Sequence, residues 1–206
     1  MSDPIEKLTE YFRTLPGIGP RQASRFAYFI INKNSQFASE FSNALLNAKK
    51  EVLQCGKCKR FYSKDTLGTT STLCKTCNDD SRNGSTLLIV EKDIDIDNIE
   101  SAGIYNGRYF VLGGVIPVLE KEPGKFIRTQ ALLAVAKSMK DLKEVILALS
   151  VNPDADNTVT HVKNTMSGLT KEKNITFTLL GRGLSTGAEL EYSDSDTLRS
   201  AFENRH

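Results

Sequence analysis

Four cysteines carry the most specific chemistry in the chain. Cys55 and Cys58 form one pair with two residues between them, Cys74 and Cys77 form a second, and fifteen residues separate the pairs. A two-residue gap lets each pair turn as a knuckle with both sulfurs on one side. Two knuckles then bring four thiolates to the corners of a tetrahedron, the geometry zinc prefers. Every ligand position is sulfur, so no coordination site is left for water and the expected role is structural: one zinc ion per chain. A dithiol redox pair would not need the second pair, and two disulfides suit an oxidising compartment. Gly56 eases the first turn. Residues 59–72 are short and polar, and a metal supplies order that apolar burial could not.

A second constellation is Leu15-Pro16-Gly17-Ile18-Gly19-Pro20-Arg21-Gln22-Ala23. Gly17 and Gly19 permit a sharp turn and let a phosphate come close to the backbone. The helix that follows presents free N–H groups and the positive end of its dipole. Arg21 lies in the first turn of that helix and Arg25 one turn later on the same face, so both guanidiniums can reach adjacent phosphates. Nothing here presents a reader to base edges, and the expected binding is insensitive to sequence and sensitive to salt. The plain alternative is an αα-turn whose arginines are solvated. Gly181-x-Gly183-x3-Gly187 lacks the Gly-Lys-Ser/Thr of a phosphate loop, which argues against ATP; a turn between a strand and the terminal segment is enough.

The elements that must position these residues are legible in the apolar spacing. Ile5, Leu8, Phe12 and Leu15 predict a short amphipathic helix, residues 21–31 a second, and Phe37, Phe41, Leu45, Ala48 and Val52 a third over 37–54. From Thr86 the pattern alternates: strand 86–91, helix near 95–102, strand 108–112, helix 128–139, strand 144–149, helix 157–168, strand 174–180. Such alternation predicts an α/β domain with a mainly parallel sheet. A short terminal helix beginning at Ser195 or Asp196 closes the chain. The 206 residues fit one larger domain with one or two small modules, since a domain takes about 150 residues. A charged fraction of 25% and an apolar fraction of 39% belong to a globular protein. No apolar run approaches the roughly 20 residues needed to cross a bilayer. Without a basic or apolar leader the expected place is the reducing cytoplasm. Residues 1–64 hold 11 Lys and Arg against 5 Asp and Glu, leaving 16 against 20 for the rest. The basic N-terminal third points to nucleic acid.

Taken in order, the glycine hairpin, the four-cysteine knuckle and Thr86-Leu87-Leu88-Ile89-Val90-Glu91 resemble the RecR family of bacterial recombination mediators. The resemblance continues through residues 99–114 and 144–148 and ends with residues 181–192, from Gly181 to Tyr192. It implies a helix-hairpin-helix, a four-cysteine zinc finger and a Toprim fold. It also implies a homo-oligomeric ring, dimer or tetramer, that holds single- or double-stranded DNA near the nucleoid. With RecO and RecF such a ring loads RecA on single strands coated by single-strand-binding protein. Gly17, Gly19, Arg21 and Arg25 match the family's DNA-contacting hairpin. The expected organisation is 1–52 for the hairpin module, 53–80 for the zinc finger, 81–170 for the Toprim-like domain and 171–206 for a C-terminal segment making oligomer contacts.

Some positions depart from the family. The connection between the cysteine pairs is longer than usual, Ser185 replaces a proline, and in Asn152-Pro153-Asp154-Ala155-Asp156-Asn157-Thr158 the second residue of an acidic pair is Thr158. Toprim enzymes hold Mg²⁺ with a glutamate after one strand and an Asp-x-Asp after another. Glu91, Asp154 and Asp156 sit after the right strands. The pair is broken at Thr158, however, and no tyrosine or histidine offers a nucleophile or base. Mg²⁺ and catalysis are therefore not expected, and Glu91 and Asp156 are expected to form a docking surface for a basic partner. Asp93, Asp95 and Asp97 read as a solvated loop leading to a helix capped by Asp95, and His161 as a packed or surface side chain. The rivals are a Mg²⁺-dependent nuclease or strand-passage enzyme and a zinc-braced adaptor that never touches DNA.

Overall fold

Residues 3–64, 72–181, 183, 184, 187, 189–203 and 205 are described by the computed structural model. The chain divides into two units, residues 1–52 and 53–206.

The first unit is helical. Asp3 caps α1 (Pro4–Arg13) by accepting from the Ile5 amide at 3.0 Å, and Pro4 stands where its missing N–H costs nothing. Helix α2 (Pro20–Ile31) packs on α1 through Ala23 and Ala27, both fully buried, whose small side chains let the helices approach. Phe12 meets Phe26 edge to face, with ring centroids 5.7 Å apart. Helix α3 (Ser35–Glu51), capped by Asn34 on the Phe37 amide, buries no residue. Its predicted stripe exists, and Phe37 stacks on Phe41 and meets Phe29. Leu45 and Leu46 are nevertheless 58% and 65% exposed. The helix stops at Glu51 rather than at residue 54, because Val52–Gln54 becomes strand β1 and pairs with β2 (Phe61–Ser63).

In the second unit a single turn, α4 (Lys75–Asn78), follows the knuckle region. Then come β3 (Asn83–Val90), α5 (Asp93–Ala102), β4 (Gly107–Val111), α6 (Thr129–Ser138), β5 (Glu144–Ala148), α7 (Pro153–Lys173), β6 (Thr176–Leu179) and α8 (Ser195–Glu203). The sheet order is β4-β3-β5-β6 with every pair parallel, and Val90 lies beside both Val111 and Ala148. This is the expected α/β class.

Alternation along each strand sorts the side chains onto two faces. Leu87, Ile89, Phe110, Val145 and Leu147 form one core with Leu132 and Ala136 of α6 and Val159, Val162 and Met166 of α7. Each large apolar side chain buried there contributes about 1.5–3 kcal/mol. Leu88, Val90, Tyr109 and Val111 form the other with Ile96 of α5 and the four cysteines. The cysteine knuckles thus serve as a covering layer of the sheet, where a second helix would otherwise lie.

Both boundaries of α7 also differ from expectation. Helix α7 starts at Pro153, four residues before the predicted 157, because Asn152 caps it on the Ala155 amide at 2.8 Å and Pro153 occupies its first position. It also runs to Lys173, whose ammonium reaches the carbonyls of Ala136, Lys137 and Met139 and closes the end of α6. The boundary expected at 170/171 therefore falls inside a helix, and β6 belongs to the sheet rather than to the C-terminal segment. Among the described residues no helix is long and apolar enough to cross a membrane.

Candidate nucleic-acid interface and metal centre

The hairpin between α1 and α2 is built as its glycines require. Gly17 has φ +77°, a conformation that a side chain would strain, and it lets the chain reverse within four residues of Arg13. Gly19 is the residue before α2 and offers no side-chain cap. The amides of Arg21 and Gln22 consequently have no acceptor among the described residues, the arrangement that binds an anion at a helix start. Arg21 and Arg25 are exposed, and neither has an ion-pair partner among the described residues. Two free guanidiniums one helical turn apart beside unsatisfied amides can hold two neighbouring phosphates.

The four cysteines converge. Their sulfurs all lie within 4.8 Å of one another, the residues are buried, and Cys58 and Cys74 sulfurs are 3.5 Å apart. Bonds of about 2.3 Å from a tetrahedral zinc would set sulfurs about 3.8 Å apart, so the cluster has the size for such an ion. The knuckles are held by backbone: the Cys55 amide donates to the Arg60 carbonyl at 2.8 Å, the Gly56 amide to Thr72 at 2.9 Å, and the Cys74 amide points at the Cys55 sulfur. The four thiols do not titrate alike. Hydrogen bonding with Cys58 holds Cys55 low, and the same contact pushes Cys58 up. Cys77 is pushed up, first by Cys55. Cys74 is pushed up by Cys55 but down further by Cys58 and Cys77, and ends at about 6. Thiols crowded this closely can give up their protons to a shared cation, which then holds the thiolates together.

The acidic residues do not converge in this way. Glu91 and the turn that starts α7 do follow adjacent strands, at the point where the sheet order reverses direction. Yet among the described residues only the cysteines gather three or more possible ligand groups. Glu91 is 7% exposed and engaged by Lys92 at 2.9 Å and Ser150 at 2.7 Å. Burial pushes its carboxyl up, but those two partners outweigh burial and hold it below the ordinary value. Glu91 is thus a mostly buried group held within the fold, with little surface left for the partner contact expected of it. Asp156 is exposed and lines an open groove of about 720 Å³ with Val151, Asn152, Asp194 and Arg199. Asp154 accepts from the Val118 amide at 3.0 Å.

Thr158, where an acid would complete the pair, is fully buried. Its hydroxyl accepts from the Ile116 amide at 2.8 Å and donates to the Asp154 carbonyl at 2.7 Å. His161 lies between Thr129 and Thr165, each 3.4 Å from its Nε2, a packed position as expected.

Other residues do more than the sequence suggested. Asp95 is not the residue that starts α5: Lys92 holds that place, and Asp95 lies in the first turn and accepts back from the Lys92 amide. The solvated loop expected for Asp93 and Asp97 is absent, because they hold the cysteine region: Asp93 accepts from the Phe61 amide at 2.6 Å and Asp97 pairs with Arg60. Arg108 of β4 donates to the carbonyls of Thr76 and Cys77. The one available signal was an arginine inside an otherwise apolar strand, Gly107–Val111. Ser185 and most of the connection between the cysteine pairs, residues 65–71, lie outside the described residues.

Comparison with known proteins divides along the same lines. Residues 5–49 match the family described as RecR, helix-hairpin-helix, residues 85–178 the Toprim domain, and residues 183–206 the family described as RecR, C-terminal. The chain is 34% identical over 203 residues to "Recombination protein RecR" of Lacticaseibacillus casei, covering 98% of this chain and 96% of the relative. Against the protein of the same name from Streptococcus mutans identity is 35% over 202 residues, and against that of Lactobacillus acidophilus 32% over 202 residues, with the same coverage.

Proposed function

Since the chain belongs to the RecR family of recombination proteins, we propose that it is a non-enzymatic DNA-binding mediator of recombinational repair that closes as a ring-like clamp on DNA. The observation that carries this reading is the hairpin: an uncapped helix start, a left-handed Gly17, and Arg21 and Arg25 exposed without acidic partners among the described residues. Phosphates bind at the amides of Arg21 and Gln22 and against the two guanidiniums. These groups all recognise phosphate, so single and double strands are held without regard to sequence.

The ring is supported by the apolar surface that the first unit leaves uncovered, Tyr28, Phe29, Leu45 and Leu46, and by the C-terminal segment. Closure makes binding topological as well as electrostatic. The metal is structural zinc, one per chain, since four soft thiolates suit it and leave no open position. Cys55, Cys58, Cys74 and Cys77 hold it. No Mg²⁺ chemistry is assigned to the acidic residues, because Glu91 and Asp154 are engaged inside the fold and Thr158 cannot supply a carboxylate. Asp156, in its groove beyond β5 and β6, is where a basic partner docks; by family resemblance the partners are RecO and RecF, and the product is RecA on single strands. A protein of this kind works in the cytoplasm, at the nucleoid.

The test is binding to labelled single- and double-stranded oligonucleotides over a range of salt. Arg21→Ala with Arg25→Ala is expected to weaken both and to reduce the slope of log K against log salt by about 2. Unchanged affinity and slope would favour an adaptor that does not touch DNA. Turnover of DNA by the wild type with Mg²⁺ or Mn²⁺ would overturn the non-enzymatic reading.

A further inference from the structure

A centre of Zn²⁺ and four thiolates carries a net charge of −2, and here all four cysteines are buried. A buried net charge is costly unless a group of opposite sign or a set of donors faces it. Two arginines of this region are neutralised by carboxylates, Arg60 by Asp97 and Arg82 by Glu100. Lys57 and Lys75, next to the cysteines, are exposed to solvent, and the Lys59 ammonium lies 2.8 Å from the Gly56 carbonyl in an exposed contact. Arg108 is different. It is half-buried, it has no carboxylate within 4.0 Å among the described residues, and its Nη1 donates to the carbonyls of Thr76 at 3.1 Å and Cys77 at 3.4 Å. Both carbonyls belong to the second knuckle. Thr76 also brings its hydroxyl within 3.1 Å of the Cys74 sulfur.

The origin of this guanidinium matters. Strand β4 is an edge strand, and its outward Val111 amide is taken by the Cys58 carbonyl at 2.8 Å. One knuckle thus pairs with the end of β4 and the other with Arg108 near its start.

We propose that Arg108 is a positioning residue of the metal centre, the counter-charge that stabilises the tetrathiolate and ties metal retention to the edge of the sheet. This rests on the reading of the four cysteines as a zinc site. Because a single nitrogen serves both carbonyls, the role needs a positive donor rather than a planar fork, and lysine should fill it.

The experiment is zinc release from the full-length protein into a chromogenic chelator, with the cobalt-substituted protein's sulfur-to-metal absorption as a second readout. Loss of an outer-shell partner commonly weakens a metal site by about 10- to 100-fold. Arg108→Gln is expected to release zinc faster by that factor, and Arg108→Lys to stay within about threefold of wild type. Arg108→Gln retaining zinc like wild type overturns the proposal. So does Arg108→Lys releasing it as fast as Arg108→Gln, since charge would then be irrelevant. If Arg108→Gln does not fold, Arg108→Lys alone decides on the same threshold. A wild type that binds no zinc at all overturns the metal-centre reading instead, a result separable from equal retention by wild type and variant.

Discussion

The two units handle apolar surface in opposite ways. In the second, both faces of a four-stranded sheet are covered, one by α6 and α7 and the other by α5 with the cysteine cluster, and Leu87, Ile89 and Phe110 are entirely hidden. In the first, only Ala23 and Ala27 are buried among the described residues, and Tyr28, Phe29, Ile31, Leu45 and Leu46 remain open. The sheet unit therefore contains its own stability, with the cysteine cluster as part of its core. The helical unit has an incomplete core and keeps its charged hairpin free, the condition of a module whose remaining contacts come from other molecules.

The sharpest way to break this comparison is to remove the metal ligands. Cys74→Ser with Cys77→Ser is expected to abolish the cooperative melting of the sheet unit or lower its midpoint by more than about 10 °C, since structural zinc contributes several kcal/mol and each corresponds to about 2–4 °C at this size. A midpoint shift under about 2 °C in scanning calorimetry would show that the knuckles are a detachable appendage. Next in size is Thr158→Val. It keeps the shape and removes the acceptor for the Ile116 amide, at a cost of about 1–3 kcal/mol read by denaturant unfolding. If stability is unchanged, Thr158 is not the structural replacement described above.

Gly17→Ala should cost about 1 kcal/mol or slightly more. Open space surrounds the position, so the penalty comes only from φ +77°. Unlike the preceding two variants, it should also weaken DNA binding, because it distorts the hairpin. Smallest in stability is Leu45→Asp with Leu46→Asp, expected within about 0.5 kcal/mol of wild type because these side chains are already exposed. The same double variant should lower the mass seen by light scattering if α3 completes its core against another protomer. An unchanged mass would sharpen the comparison by moving the protomer contact elsewhere.

What the sequence made legible follows the range of the interactions. The cysteine spacing and the Gly17 turn are local, since their geometry is imposed within a few residues, and both appear where expected. The sheet is legible because continuous apolar runs such as Leu87–Val90 mark strands buried on both faces. A local signal also exists where the expected boundary lies elsewhere: Asn152 and Pro153 mark the start of α7, four residues before the expected 157. The roles of Asp93, Asp97 and Arg108 were not legible. They depend on which strand edge the knuckles meet, and residues such as Phe61 and Asp93 are brought together only by the tertiary fold. The burial of Glu91 was not legible for a related reason: Ser150, just beyond the neighbouring strand, closes over it.

The central claim, that uncompensated arginines beside a left-handed glycine grip the phosphate backbone, is tested most directly by the salt dependence of oligonucleotide binding in fluorescence anisotropy. Wild type should lose affinity linearly in log–log form as salt rises. The Arg21→Ala, Arg25→Ala variant, melting like wild type, should bind more weakly with a slope smaller by about 2. Equal affinity and equal slope for the two proteins would contradict the account.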